Sequence, residues 1–208
     1  RDWPKPGPDL TKLGSKVSKD WVYRWIENPH AFRLNTWMPE FFKQSNTNDP
    51  QSLRRTQQEI HAIVSYLFDQ SQDYAFAEML SDGDPRNGKA ITASVGCLAC
   101  HRLDPLKDAQ PATREILRRE HGPNLTGLGE KTSQKWIYRW LKGPHSYNPS
   151  TKMPNLRLSD EEAADVSSYL WSLETETIEN VSVPSIDESI VDQITLDFLV
   201  KSDTRQAA

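Results

Sequence analysis

The residues best suited to chemistry are two cysteines and a histidine in one short stretch. Cys97, Cys100 and His101 form a Cys-x-x-Cys-His pattern, and the chain has no other cysteine. This pattern is the attachment signature of c-type haem. The two intervening residues form about one turn, so both sulfurs can reach vinyl groups on one edge of a porphyrin. His101 then lies beneath the metal.

Three other interpretations of the two cysteines are weaker. A zinc site needs four ligands, usually two cysteine pairs or two cysteines with two histidines. A thioredoxin-like pair follows a strand in a βαβ unit, whereas this region has a helical pattern. A disulfide between residues so close in sequence would close a very short loop and stabilise little. We therefore predict covalent haem.

Composition restricts the class of protein. The chain has 208 residues and a net charge of −4, which argues against a nucleic-acid partner. No apolar run approaches the roughly 18 residues of a membrane span. The first residues do not resemble a signal peptide, so we expect a mature or excised chain. Because haem is attached covalently outside the cytosol, we expect a periplasmic or otherwise extracytoplasmic location, with any membrane tether in other parts of the protein.

The chain contains an internal duplication. Residues 7–39, the first repeat, align without a gap to residues 122–154, the second repeat, and 17 of the 33 pairs are identical. Both repeats contain Trp-x-Tyr-Arg-Trp, Pro-His and Met-Pro. Self-similarity of this kind indicates two copies of one structural unit.

Helix signals surround these motifs. Asp84 is a suitable N-cap and Pro85 suits a first helical position, which predicts a helix leading to Cys97. A second helix is predicted over about residues 133–142. Ser159 opens a capping box that predicts a helix to about residue 173. Its counterpart, about residues 54–68, should turn four apolar side chains inward: Ile60, Ile63, Val64 and Leu67.

Taken together, these features resemble the class I cytochrome c domain, arranged as in tandem-repeat multihaem cytochromes. The marks are the Cys97–His101 motif, Gly-Pro-Asn-Leu at 122–125, Lys-Met-Pro at 152–154 and a closing helix. The resemblance implies an all-α fold of cytochrome c-like domains in tandem, the second wrapped round a covalent haem.

The same resemblance divides the chain into three parts. Residues 1–78 are predicted to be a module without its Cys-x-x-Cys-His segment, and residues 79–175 a complete cytochrome c domain. Residues 176–208 are an acidic linker. Because residues 202–207 resemble residues 83–88, this tail is also interpreted as the start of a third module, with an ordinary acidic tail as the alternative.

The resemblance also implies the metal ligands. His101 and Met153 would be the axial pair, a ligation that raises the reduction potential. The alternatives are Met153 as a core residue and His145 in its place. A carbonyl at or before Pro123 would accept the imidazole N–H and fix the ring. Met38 would face a second haem only if an upstream segment supplied the cysteines; otherwise it is part of a haem-free remnant.

The predicted propionate contacts lie on the helix of residues 133–142. Indole, phenol and guanidinium groups can hold buried carboxylates, although plain packing is the alternative for each residue. The candidates are Trp136, Tyr138, Arg139 and Trp140.

These assignments predict an electron carrier and not an enzyme. With histidine and methionine on the metal, no open position is left for a substrate, and the protein sets potential and exposure. The expected partners are a redox donor and acceptor, or a fused or associated oxidoreductase. The alternatives are a peroxidase-like haem enzyme and a haem-free docking role for the first module.

Overall fold

The computed structural model describes residues 7–33, 36, 38–76, 78–103, 122–173 and 182–206. These parts of the chain contain helices and no strand, which confirms the all-α prediction. None of the described helices is both long and apolar enough to cross a membrane. In chain order the α-helices are α1 (Lys19–Glu27), α2 (Pro29–Phe32), α3 (Pro50–Asp69), α4 (Pro85–Ser94), α5 (Leu128–Lys131), α6 (Gln134–Lys142), α7 (Pro144–Tyr147), α8 (Asp160–Trp171) and α9 (Glu188–Gln206).

The helix starts follow the capping signals in the sequence. Helix α4 begins after Asp84, whose carboxylate accepts a hydrogen bond from the next turn, and Pro85 takes the first position. Ser159 and its partner glutamate form the predicted capping box of α8. Helix α3 begins at residue 50, earlier than predicted, because the Asp49 carboxylate accepts two backbone N–H groups there.

Two apolar cores correspond to the two repeats. In each, the helix with the Trp-x-Tyr-Arg-Trp motif packs against a later helix, α1 against α3 and α6 against α8. The buried residues of the first core are Val17, Trp21, Val22, Tyr23, Ile26, Ile60 and Val64. Those of the second core are Trp136, Ile137, Tyr138, Leu141, Leu158, Ala163, Ala164, Val166 and Leu170.

In the second core, α4 packs closely along α8. Gly88 lies at the crossing, where a Cβ would overlap the Asp165 carbonyl and lie 2.9 Å from the Tyr169 Cβ. The Asp165 carboxylate also accepts the Asp84 backbone N–H at 2.6 Å. The crossing holds α4 in place, and α4 leads directly to the turn that carries Cys97.

Among the described residues, no helix packs closely on the face of α3 that corresponds to the α4-bound face of α8. We define this bare α3 face as Ala62, Ser65, Tyr66 and Asp69, all of which are exposed, Tyr66 to 65%. The prediction that Ile63 points inward is wrong, since its side chain is 39% exposed. Val166, its counterpart 103 residues later, is fully buried in the core that α4 completes. The helical spacing was predicted correctly, but the burial of Ile63 depends on whether another helix covers this face of α3.

The tail forms helix α9 on another part of α3. Arg55 forms an ion pair with Asp197 at 2.7 Å, and His61 Nε2 donates to the Pro184 carbonyl at 2.7 Å. Residues 202–206, which resemble the chain before and at the start of α4, lie at the end of α9. The third module therefore stays a prediction.

Candidate haem-binding site

The two cysteines lie on one tight turn after α4. A 3₁₀ helix spans Cys97–Ala99, and the backbone N–H groups of Cys100 and His101 both donate to the Cys97 carbonyl, at 3.2 and 3.0 Å. Both thiols are free and half-buried. Burial raises the pKa of the Cys97 thiol, so this sulfur stays protonated at neutral pH. This turn presents two thiols and the imidazole as one unit.

His101 is oriented by a backbone carbonyl. Its Nδ1 lies 2.8 Å from the Pro123 carbonyl oxygen. Because a carbonyl only accepts, the proton of this bond must be on Nδ1, which leaves the Nε2 lone pair for a metal. Gly122 packs against the ring: a Cβ there would lie 2.9 Å from His101 Nε2 and closer still to Nδ1. The structure thus brings Pro123 to His101, and this contact fixes the ring.

Met153 is held by a tryptophan of α6. The Trp140 indole N–H donates to the Met153 sulfur at 2.9 Å, and the Met153 backbone N–H donates to Thr151 Oγ1 at 3.2 Å. His145, the alternative ligand, is exposed on the short helix α7. The thioether is therefore the side chain that this loop holds in a defined position.

The first repeat holds Met38 in the same way. The Trp25 indole N–H donates to the Met38 sulfur at 2.9 Å, and the Met38 backbone N–H donates to Thr36 Oγ1 at 3.2 Å. Sequence reasoning missed the contact between indole and sulfur in both repeats. The signal was available, since tryptophan and methionine are 13 residues apart in each.

The propionate candidates on α6 lie in two different places. Trp136 and Trp140 stack with their rings 5.3 Å apart. Trp136 Nε1 and Arg139 Nε are buried and have no hydrogen-bond partner in the part of the chain that the structure describes. Tyr138 lies apart from them: its hydroxyl donates to the Asp160 carboxylate at 3.1 Å, at the start of α8. The Tyr138 hydroxyl is thus occupied in packing α6 on α8.

These residues fit haem c. Two thiols stand beside an imidazole with a free nitrogen, and a thioether is held in a fixed position. Two buried N–H donors meet no acceptor among the described residues, and a propionate carboxylate would supply one. Fold and site together define a small helical haem protein of the c type.

Comparison with known proteins gives the family. The family model for cytochrome c matches residues 85–174. The cytochrome c of Tetrahymena pyriformis is 30% identical over 100 residues, which cover 44% of this chain and 91% of that protein. No solved structure matches the chain significantly. The chain belongs to the cytochrome c family, whose domains carry covalent haem c and transfer electrons.

Proposed function

We propose that this chain transfers electrons through one haem bound to Cys97 and Cys100, with His101 and Met153 as axial ligands. The haem would supply a metal that gains and loses one electron. We place the chain in an extracytoplasmic compartment, as a segment of a larger multihaem cytochrome or redox complex. Its partners are a redox donor and acceptor.

The observation that carries this proposal is that both axial side chains are held before the group binds. The Pro123 carbonyl fixes His101, and the Trp140 indole fixes the Met153 sulfur. A site with two prearranged ligands changes little between redox states, which suits electron transfer, whereas an enzyme needs an open position.

Haem counting combined with a spectrum tests this proposal. We expect the chain, matured in a host that attaches haem c, to gain the mass of one haem and to give a purely six-coordinate spectrum with a methionine-to-iron charge-transfer band. A high-spin ferric spectrum with peroxide turnover would instead support the peroxidase-like alternative and overturn the electron-carrier role.

The bare α3 face supports the multihaem part of the proposal. In the second core, the corresponding face carries α4, the helix that delivers the haem cysteines. In the first core, Met38 is held like Met153, while a pocket of about 640 Å³ lies beside Tyr66 and Ser65. Ala62 is the residue of α3 equivalent to Asp165 of α8. It has no carboxylate, so α3 cannot accept a backbone N–H as Asp165 accepts that of Asp84 at the start of α4. We infer that this face receives another haem-bearing helix, one without that contact.

A haem peptide can test the second site. Residues 79–103 with their attached haem, released by proteolysis from the holoprotein, are added to intact chain. We expect a second methionine-to-iron band that Met38→Ala removes and that Tyr66→Glu weakens by introducing a charge into the contact. If the peptide binds equally well to all three chains, or to none, the bare face is not a site for a haem-bearing helix.

A smaller effect is expected at the indole that holds Met153. Trp140→Phe removes the donor to the sulfur, and the loss of one hydrogen bond costs about 1 kcal/mol. The charge-transfer band should therefore disappear at a lower guanidinium concentration than in the wild-type holoprotein. Trp25→Phe is the matched control, because it removes the equivalent donor to Met38 and the same ring volume. Equal effects of the two variants would show that the donor does not act on the haem ligand.

A further inference from the structure

Each repeat places a lysine side chain over a tryptophan ring of the other repeat. Lys16 of the first repeat places Nζ 4.7 Å from the ring centroid of Trp136 in the second. Lys131 of the second repeat places Nζ 4.7 Å from the ring centroid of Trp21 in the first. Both the lysines and the tryptophans are equivalent positions, 115 residues apart. Thr132 Oγ1 also donates to the Lys16 carbonyl, which fixes one repeat against the other.

The lysines line a pocket between the repeats. It has a volume of about 310 Å³ and is formed by residues 14–18 and 129–133. Burial lowers the pKa of Lys16. Burial, and then the charges of Lys16 and Arg33, lower the pKa of Lys131 to about 7. Glu130 is the carboxylate that lines the same pocket. Partly buried cations facing each other are costly, and a bound anion would reduce that cost.

The same region contains a donor that lacks an acceptor. Trp136, the ring beneath Lys16, has a buried indole N–H that meets no acceptor at normal hydrogen-bond geometry among the described residues, with the Tyr147 hydroxyl as its polar neighbour. An indole nitrogen only donates, and so does an ammonium group. A carboxylate accepts from both and would be held by a charge-assisted hydrogen bond. The combination of the Lys16 ammonium group, the neighbouring Trp136 indole N–H and the pocket that Lys16 lines therefore points to a carboxylate ligand.

We infer that Lys16, contributed by the first repeat, binds a propionate of the haem carried by the second repeat, together with the Trp136 indole. The inference rests on the proposed haem at Cys97 and Cys100. It gives the first repeat a role that its own sequence does not show: it completes the haem site of its neighbour. A cation at the propionate stabilises the reduced haem relative to the oxidised one, so the first repeat also raises the reduction potential.

The test removes this one charge from the holoprotein. Lys16→Gln is compared with Lys89→Gln, which removes the same charge from the exposed side of α4. We expect Lys16→Gln to lower the haem reduction potential more than Lys89→Gln does. It should also move the ionisation of a haem propionate to higher pH, followed by infrared difference spectra of haem labelled with ¹³C in the propionates. Lys16→Arg should retain most of both properties. Lys16→Met, which removes the same charge and keeps a side chain of similar length, serves as the second variant if Lys16→Gln does not fold.

Two outcomes separate this inference from its alternatives. If Lys16→Gln and Lys89→Gln shift the potential equally and leave propionate ionisation unchanged, Lys16 does not bind the propionate. A six-coordinate haem would still support the proposed function in that case. If the effect of Lys16→Gln appears only when inorganic phosphate is added at constant ionic strength, the pocket binds a free anion and the inference is wrong. A chain that gains no haem would overturn the proposed function instead.

Discussion

Met153→Ala should leave the haem attached but lower its reduction potential by a few tenths of a volt. Attachment depends on Cys97 and Cys100, which this substitution does not touch. Thioether ligation favours the reduced metal, and axial ligands set haem potentials over a range of roughly 0.8 V. The vacated position should then bind added imidazole or cyanide. Intact mass, redox titration and the loss of the charge-transfer band measure the three effects.

The matched control for this prediction is Met38→Ala. Both methionines accept an indole N–H at 2.9 Å and sit in loops of the same design, so both substitutions remove the same contact. Met38 lies in the core that has no cysteine motif in this chain. Met38→Ala should therefore leave the potential and spectrum of the haem unchanged. If Met153→Ala behaved like Met38→Ala, the ligand assignment would be wrong and His145 would become the candidate.

Much of the local structure could be predicted because its causes are local. Asp84 and Ser159 start helices through their own hydrogen bonds to the next turn, and both helices begin where the sequence indicated. The contact of Trp140 with Met153 follows equally from the spacing of two residues, once the same pair is recognised in the other repeat.

Burial and inter-repeat contacts could not be predicted in the same way. Ile63 has the helical spacing of an inward residue, but whether it is buried depends on the helix that covers that face. Lys16 has no unusual neighbours in sequence, and the role inferred for it depends on its contact with Trp136, which is 120 residues away in the chain. The position of Tyr138 likewise depends on tertiary packing, since its hydroxyl donates a hydrogen bond to the Asp160 carboxylate. Sequence patterns predicted the helices, whereas tertiary packing determined which side chains are buried and which contact the other repeat.

The packing also explains how the repeats differ in what they can hold. Each repeat supplies a methionine loop and a tryptophan pair, but the second also has α4 seated on α8. The cysteine turn comes directly after α4, so the position of the thiols depends on how closely these two helices approach. We therefore expect haem binding to depend on the helix crossing, and this expectation can be tested separately from the ligands.

Gly88→Ala should therefore destabilise the holoprotein by several kcal/mol. A Cβ at this position would overlap the carbonyl of Asp165, which is helix backbone and cannot rotate away, and would press on the Tyr169 Cβ. Inserting a methyl group into a closely packed contact costs typically 1–3 kcal/mol, and a backbone obstacle places this site at or above the upper end of that range. Separation of α4 from α8 would also loosen the turn with Cys97. Guanidinium unfolding, followed by circular dichroism and by the haem spectrum, measures both consequences.

Gly7→Ala is the control for the change of residue type, because a Cβ there meets no atom within 4 Å. Alanine normally stabilises a helix relative to glycine by roughly 0.5–1 kcal/mol, so at Gly88, inside α4, intrinsic propensity alone predicts a gain in stability. The sign of the effect therefore separates two physical causes. A loss of stability with Gly88→Ala and little change with Gly7→Ala would show that the crossing of α4 and α8 governs the site. A gain in stability with Gly88→Ala would mean that the two helices are not in close contact. The claim that this contact positions the cysteine turn would then be wrong.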